Sequence, residues 1–344
     1  MIDLKDRRIA LVGGAGFVGH NLALALAGRG AKVDIIDGLQ VNNLLMFASA
    51  DGNLQNRDLY HRMINERLDL LRHARIPLHV QDARDYQSFS RIISKIKPQV
   101  IVHLAGVAHH GTSNKDPYST FDHSLRTLEN ALDCARDNVE HFIFFSSSMV
   151  YGNFLSEKID EEHPLNPIGI YGALKVAGEK IVIAYQQVFD LPYTIVRPSA
   201  LYGPRCVSRR VGQIFIESAL GGSKLRVDGD GREKLDFTYI DDLVEGICLV
   251  MQNPAARNQI FNMTYGSSRS IRDLAAIIQH RFPEVEVEYV ERDRLMPVRG
   301  TLSIDKAARL LGYAPTHPIE IGFAKYIEWY RSVNEQPSFA IAEA

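Results

Sequence analysis

The sequence predicts an α/β protein, a doubly wound parallel sheet followed by a smaller C-terminal α/β lobe. Three observations point there. Short apolar runs in the first half alternate with longer segments of helical periodicity, as strands joined by crossover helices do. The first of these runs opens onto a glycine-rich turn, and the second ends in an acid. With 344 residues, 46% hydrophobic and 23% charged, the chain is long enough and apolar enough for a large core.

Arg8 to Val12 form the first strand, and Gly13-Gly-Ala-Gly16-Phe17-Val18-Gly19 leads from it into a helix over Asn21 to Ala27. The glycines have separate tasks: Gly13 permits the tight turn, Gly16 lets backbone approach a pyrophosphate, and Gly19 lets the helix pack close to the strand. The phosphates then rest on the helix N-terminus, where unpaired N–H groups and the helix dipole favour negative charge. Lys32 to Asp37 form the second strand. Its terminal carboxylate is placed to accept hydrogen bonds from an adenosine ribose. Gly38-Leu-Gln follows, with no arginine to receive a 2′-phosphate, so NAD is expected rather than NADP. Asp37 taken alone also reads as a solvated loop acid.

Residues 41–75 interrupt the usual connection. Within them, Asp58 to Arg75 read as an amphipathic helix, a solvated surface element or a flap with no assignable chemistry. The third strand, Pro77 to Val80, leads to Asp82 and Ala83, which either face the adenine or, for Asp82, cap the next helix. Gln99 to Leu104 is a buried run that ends in Ala105-Gly106-Val107-Ala108, small residues at the carboxyl edge where open α/β sheets bind ligands. His109, His110 and Ser113 then belong either to a loop that contacts substrate or to plain solvated polar chain. No Cys, Asp or Glu is spaced to complete a metal site with these histidines, so no metal is expected. A long helix over 117–136 and a strand over 141–145 deliver Ser146-Ser147-Ser148-Met149-Val150-Tyr151-Gly152 to the same edge.

Tyr171-Gly-Ala-Leu-Lys175 carries the candidate chemistry. On a helix, residues four apart share a face, so the phenol and the ammonium act together. A tyrosine ionises near pH ~10, too high for a base at neutral pH. A cation about 4 Å away contributes roughly 4 kcal/mol at an effective dielectric of about 20, or about three pKa units, which brings the phenol into range for general-base work. An isolated Tyr-x-x-x-Lys is equally an ordinary feature of an amphipathic surface helix.

The formal net charge of −2 argues against nucleic acid as a partner. Cys134, Cys206 and Cys248 lie far apart, without metal or redox spacing, which fits a reducing compartment. No apolar run approaches a membrane span, and the first residues lack the basic start and apolar core of a leader. A cytoplasmic protein is expected.

Together, GGAGFVG, the terminal Asp37, HLAG at 103–106, SSSMVYG at 146–152 and YGALK at 171–175 resemble the extended short-chain dehydrogenase/reductase family, particularly its nucleotide-sugar epimerases and dehydratases. The resemblance spans nearly the whole chain. It implies a Rossmann-type NAD-binding domain over 1–197, rejoined by the segment around 237–263, and a substrate lobe over 198–236 and 264–335. Residues 336–344 read as a frayed tail. It further implies that Ser147, Tyr171 and Lys175 are catalytic, that Pro198 lies by the nicotinamide, and that the protein is a homodimer through the helices at 117–136 and 171–188.

The second half departs from the family in two places. Many relatives carry an asparagine where Ala200 stands and a phosphate-pairing arginine where Leu235 stands. The cations left to hold a diphosphate are Arg205, Arg209, Arg210, Arg232, Lys234 and Arg299, each of which also reads as a surface charge. Asp241 and Asp242 are expected to cap the helix after them. Relatives that dehydrate or decarboxylate place an acid just after the catalytic hydroxyl, whereas this chain has Ser148 and Met149, placed to contact the substrate. Relatives that epimerise at carbons 3 and 5 use a cysteine nearby, and none is present. The resemblance therefore favours 4-epimerisation of a nucleotide-activated sugar, with a UDP-sugar first. A net oxidoreductase or a dehydratase on a nucleotide sugar is the alternative, and a non-catalytic NAD-binding regulatory protein is the remote one.

Overall fold

The computed structural model describes residues 1–48, 56–107, 110–293 and 295–335. Its main sheet runs, from one edge, through the strands Gln259–Asn262, Tyr193–Arg197, His141–Phe145, Val100–His103, Arg8–Val12, Lys32–Asp37 and Leu78–Val80. All neighbouring pairs are parallel. The apolar runs that signalled these strands are those of a sheet covered on both faces, and Val100–His103, His141–Phe145 and Tyr193–Arg197 are buried at every position.

The order of connection reverses at Arg8–Val12, which lies between the second and fourth strands of the chain. In doubly wound sheets the ligand crevice opens at that reversal, outside the carboxyl ends of the strands. The glycine turn follows Val12 there, and Val12 is in register with both Ile36 and His103.

The helix expected over 117–136 is not continuous. Pro117–Phe121 is α-helical, Asp122–Arg126 is a π-helical turn, and Thr127–Ala135 is α-helical again. Such turns interrupt helices where a functional site needs the extra bulge, and His123 within this one lines the main cavity. Asp82 does not cap the helix after it. Asp85 does, accepting a hydrogen bond from the Ser88 amide at 3.2 Å ahead of Tyr86–Ile96. Likewise Asp241 and Asp242 lie inside the first turn of Ile240–Gln252 rather than at its cap. The buried Asp242 instead binds the segment before the final helix, accepting from the Thr316 amide at 2.9 Å and the His317 amide at 3.0 Å.

The chain after Arg197 forms small two-stranded pairs and one more strand of the main sheet. Leu201–Tyr202 pairs in parallel with Thr238–Tyr239, and Leu225–Asp228 with Val287–Val290. Gln259–Asn262 returns to the sheet edge beside Tyr193–Arg197. One apolar cluster runs from Ile9 and Leu11 through Phe215 and Phe323 to Tyr330, so both halves share a core. At its centre Tyr202 and Phe323 stack with ring centroids 4.3 Å apart. Among the described residues no helix is long and apolar enough to cross a membrane. The tail at 336–344 and His109 lie outside the described residues.

Candidate active site

The glycine turn is held by its neighbours. The Gly13 amide donates to the Ile36 carbonyl at 2.8 Å, and Gly13 takes a φ of +79°, where a Cβ would stand 2.6 Å from the Ala105 amide nitrogen. A side chain there is excluded twice over, by its backbone conformation and by the close approach of the fourth strand's end. A Cβ on Gly19 would run into the Gly14 backbone, whereas Gly16 faces open space apart from the Gly13 carbonyl at 3.4 Å. Backbone is thus exposed at the N-terminus of Phe17–Gly28, which has no side-chain cap. The unpaired amides are free for an anion.

Asp37 stands against the glycine turn. Its carboxylate accepts from the Ala15 amide at 2.9 Å and the Leu39 amide at 2.7 Å. Burial raises its pKa, while these bonds and the nearby Arg67 charge favour the ionised form. Beyond it Asp82 pairs with Arg84 at 2.7 Å, and Arg84 pairs with Asp122 of the π-helical turn at 2.8 Å. Burial opposes ionisation of Asp82, but hydrogen bonds from Arg84 and Gln40 outweigh it and pull the pKa down to about 2.

A single cavity joins this end to the tyrosine. It is lined by Gly13, Gly16, Phe17, Val18, Gly19, Asp37, Asp82 and Ala83 at one end, by Leu104, Ala105 and Gly106 along the sheet edge, and by Tyr171, Lys175 and Pro198 at the other. The open backbone at Gly16 and the carboxylate at Asp37 fit a dinucleotide, which would lie along these residues.

The tyrosine helix spans Gly169–Phe189. Asn114 holds its start, accepting from the Ile170 amide at 3.1 Å. Tyr171 and Lys175 are both buried, and Lys175 Nζ donates to the Phe145 carbonyl at 2.6 Å. The ammonium is 6.0 Å from the centre of the Tyr171 ring. Burial also brings the Lys175 pKa down to about 8 against the opposing Glu179 charge, so the ammonium keeps its charge at neutral pH and loses it as the pH rises through about 8. Burial raises the Tyr171 pKa, while the Ser147 hydroxyl and the Arg210 charge lower it.

Ser147 begins the short turn Ser148–Tyr151, its hydroxyl accepting from the Met149 amide at 3.2 Å. Ser148 and Met149 are buried in that turn, and neither lines the cavity. Ser146 donates to Glu179, which forms a buried pair with Arg197 at 2.6 Å. Glu179 was legible in the sequence: Tyr171, Lys175 and Glu179 are spaced four apart on one helical face. Ser113 is completely buried.

The candidate cations fall into different places. Arg205 points away from the cavity, pairing with Glu66 at 2.9 Å and donating to His20 at 3.0 Å. Arg232 stands exposed on a turn beside Asp230, and Lys234 pairs with Glu157. Neither Arg205 nor Arg232 lines the cavity, whereas Arg210 does. Arg299 is half-buried, and its buried Nε has no hydrogen-bond partner among the described residues. Its burial and the adjacent charges of Arg210 and Arg292 disfavour its protonated form. Gln40, Arg67 and His123, which sequence reading did not single out, also line the cavity. Among the described residues no group of three potential metal ligands occurs, and the three cysteines are free.

The model of the NAD dependent epimerase/dehydratase family matches residues 9–264, from the first strand through the edge strand of the sheet. The chain belongs to this family. NAD is its cofactor. Over 95% of its length the chain is 28% identical to the UDP-glucose 4-epimerase of Mycolicibacterium smegmatis, all of which is covered. It is also 25% identical to the dTDP-glucose 4,6-dehydratase of Xanthomonas campestris, covering 93% of this chain and 92% of that one. Among solved structures, the UDP-glucose 4-epimerase of Thermotoga maritima with UDP-glucose superposes with a TM-score of 0.83 at 25% identity, covering 95% of this chain and 99% of the other.

Proposed function

We propose that this member of the family is a 4-epimerase of a UDP-activated sugar. The observation that carries the reading is the placement of acids. Among the described residues lining the cavity the carboxylates are Asp37 and Asp82, both at the adenosine end, and none stands beside Tyr171. Relatives that eliminate water or carbon dioxide place a further acid just after the catalytic hydroxyl, where this chain has Ser148 and Met149. Reversible oxidation of one hydroxyl needs only the tyrosine.

Tyr171, with Ser147 hydrogen-bonded to the same oxygen, takes the proton of the C4 hydroxyl and later returns one to the 4-keto sugar. Bound NAD supplies the hydride acceptor and, in reduced form, the donor. Lys175, held on the Phe145 carbonyl, supports the tyrosine and the cofactor ribose. We assign the cofactor domain to 1–197 with 237–263, and the substrate lobe to 198–236 and 264–335. Arg210 and Arg299 are the cations we assign to the diphosphate, in place of the arginine missing at Leu235. We further assign a cytoplasmic homodimer, in which a partner covers the exposed Tyr118, Phe121, Val188 and Phe189 on the two long helical segments.

The test is proton NMR of UDP-glucose, UDP-glucuronate and their N-acetyl relatives after incubation with the protein. One pair of 4-epimers is expected to interconvert with no net NADH. Accumulating NADH would establish an oxidoreductase instead, and a 4-keto-6-deoxy product a dehydratase. In the same assay Arg299→Ala is expected to raise KM by about tenfold or more, the equivalent of one charged hydrogen bond lost. An unchanged KM would remove Arg299 from the diphosphate site.

A further inference from the structure

The insertion between the second and third strands reaches the cofactor cavity through one side chain. Its helix, Arg57–His73, buries Arg67 to 1% exposure, and Arg67 lines the same cavity as Gly13 and Asp37. A buried arginine ordinarily has a carboxylate to neutralise it. Arg67 has carbonyls instead: Nε donates to the Arg205 carbonyl at 2.9 Å, Nη2 to the same oxygen, and Nη1 to the Asn42 carbonyl at 3.3 Å.

Those two carbonyls belong to opposite walls. Asn42 lines the cavity on the side of the second strand, while Val207, Ser208 and Arg210 line it from the loop that follows Arg205. The preceding residue of the helix reinforces the join, since Glu66 pairs with the Arg205 guanidinium at 2.9 Å. Arg205 also donates to His20 at 3.0 Å, and the other nitrogen of His20 bonds the Gly16 carbonyl of the phosphate turn at 2.8 Å. Burial holds His20 neutral, so the proton sits on Nδ1 and Nε2 accepts from Arg205. One connected set of bonds thus runs from the phosphate turn, through Arg205 and Arg67, to the loop behind Asp37.

We propose that Arg67 is a positioning residue for cofactor retention: it ties the 203–210 loop to the Asn42 loop across the cavity, so that bound NAD leaves only when this loop parts from the insertion helix. The inference rests on NAD occupying the cavity and not on which sugar is epimerised. Burial raises the Asp37 pKa, and the Arg67 charge adds a small opposing pull to that of the Leu39 and Ala15 amides.

The experiment is exchange of bound NAD for NAD deuterated in the nicotinamide ring, followed by native mass spectrometry, in the parent, Arg67→Met, Arg67→Lys and Glu66→Gln. Arg67→Met is expected to release NAD about tenfold or more faster, as loss of a charged hydrogen bond would, with Arg67→Lys between it and the parent because an ammonium reaches one carbonyl less rigidly than a planar fork reaches two. In protein stripped of NAD, amide hydrogen exchange over 203–210 is expected to quicken in Arg67→Met while the central strands stay protected. An exchange rate equal to the parent's in a cooperatively folded variant overturns the proposal, and so does quickened hydrogen exchange throughout the sheet. If Arg67→Met does not fold, Arg67→Lys and Glu66→Gln decide by the same rates. No sugar is turned over in these measurements, so their failure leaves the 4-epimerase reading untouched, and a failed epimerase assay leaves them interpretable.

Discussion

Tyr171→Phe is expected to lower kcat by about 10³-fold or more with little change in KM, since a positioned general base contributes roughly 10²- to 10⁴-fold and removing its oxygen leaves the ring in place. The ring is buried, with the Lys175 ammonium 6.0 Å from its centre, and phenylalanine fills the same volume. Initial rates by NMR give the loss, while NAD-induced stabilisation against heat should persist and show that the cavity is intact. A rate within tenfold of the parent would mean that another group takes the proton. The geometry also ranks the supporting residues. Ser147 and Arg210 both lower the Tyr171 pKa against the effect of burial, so Ser147→Ala and Arg210→Met should each move the pH at which the rate rises toward higher pH. Lys175, bound to the Phe145 carbonyl, keeps its charge below about pH 8 and loses it above.

The largest loss of stability is expected at Arg197. The Glu179–Arg197 pair has side chains exposed by 1% and 2%, and Arg197 Nη1 also donates to the Tyr151 hydroxyl at 2.9 Å. Arg197→Met leaves Glu179 charged and uncompensated in the core, a change that costs about 3–5 kcal/mol when one partner of a buried pair is removed. Urea unfolding measures this as a shifted midpoint with an unchanged slope. The double variant Glu179→Gln with Arg197→Met should regain part of the loss, because no buried charge remains. Activity should fall in Arg197→Met even where the protein is folded. Glu179 accepts from Ser146, the neighbour of Ser147, and lies two turns along the helix from Tyr171. A midpoint within error of the parent's would show that the pair contributes nothing net.

Much of the architecture could be read from local pattern. Strands buried on both faces are continuous apolar runs, and the glycine turn at 13–19 follows from a steric demand at each position, so neither depends on distant residues. Element ends were less legible. The helix over 117–136 has helical composition throughout, and its π-helical turn is set by contacts such as Asp122 with Arg84, which join segments far apart in sequence. Asp82 and Asp85 are both plausible caps by residue type, and only the path of the chain assigns the role to Asp85.

By itself the sequence determined the doubly wound sheet, the dinucleotide turn with Asp37, and the four-residue spacing of Tyr171 and Lys175, because periodicity and glycine sterics are local properties. Tertiary structure decided the electrostatics. Whether a cation serves the tyrosine, the cofactor or a distant acid depends on separations of a few ångströms between segments, and spacing along the chain carries no such information. It placed Arg205 on Glu66, carried Arg67 into the cavity beside Asp37, and set Ser147 and Arg210 against the burial of Tyr171.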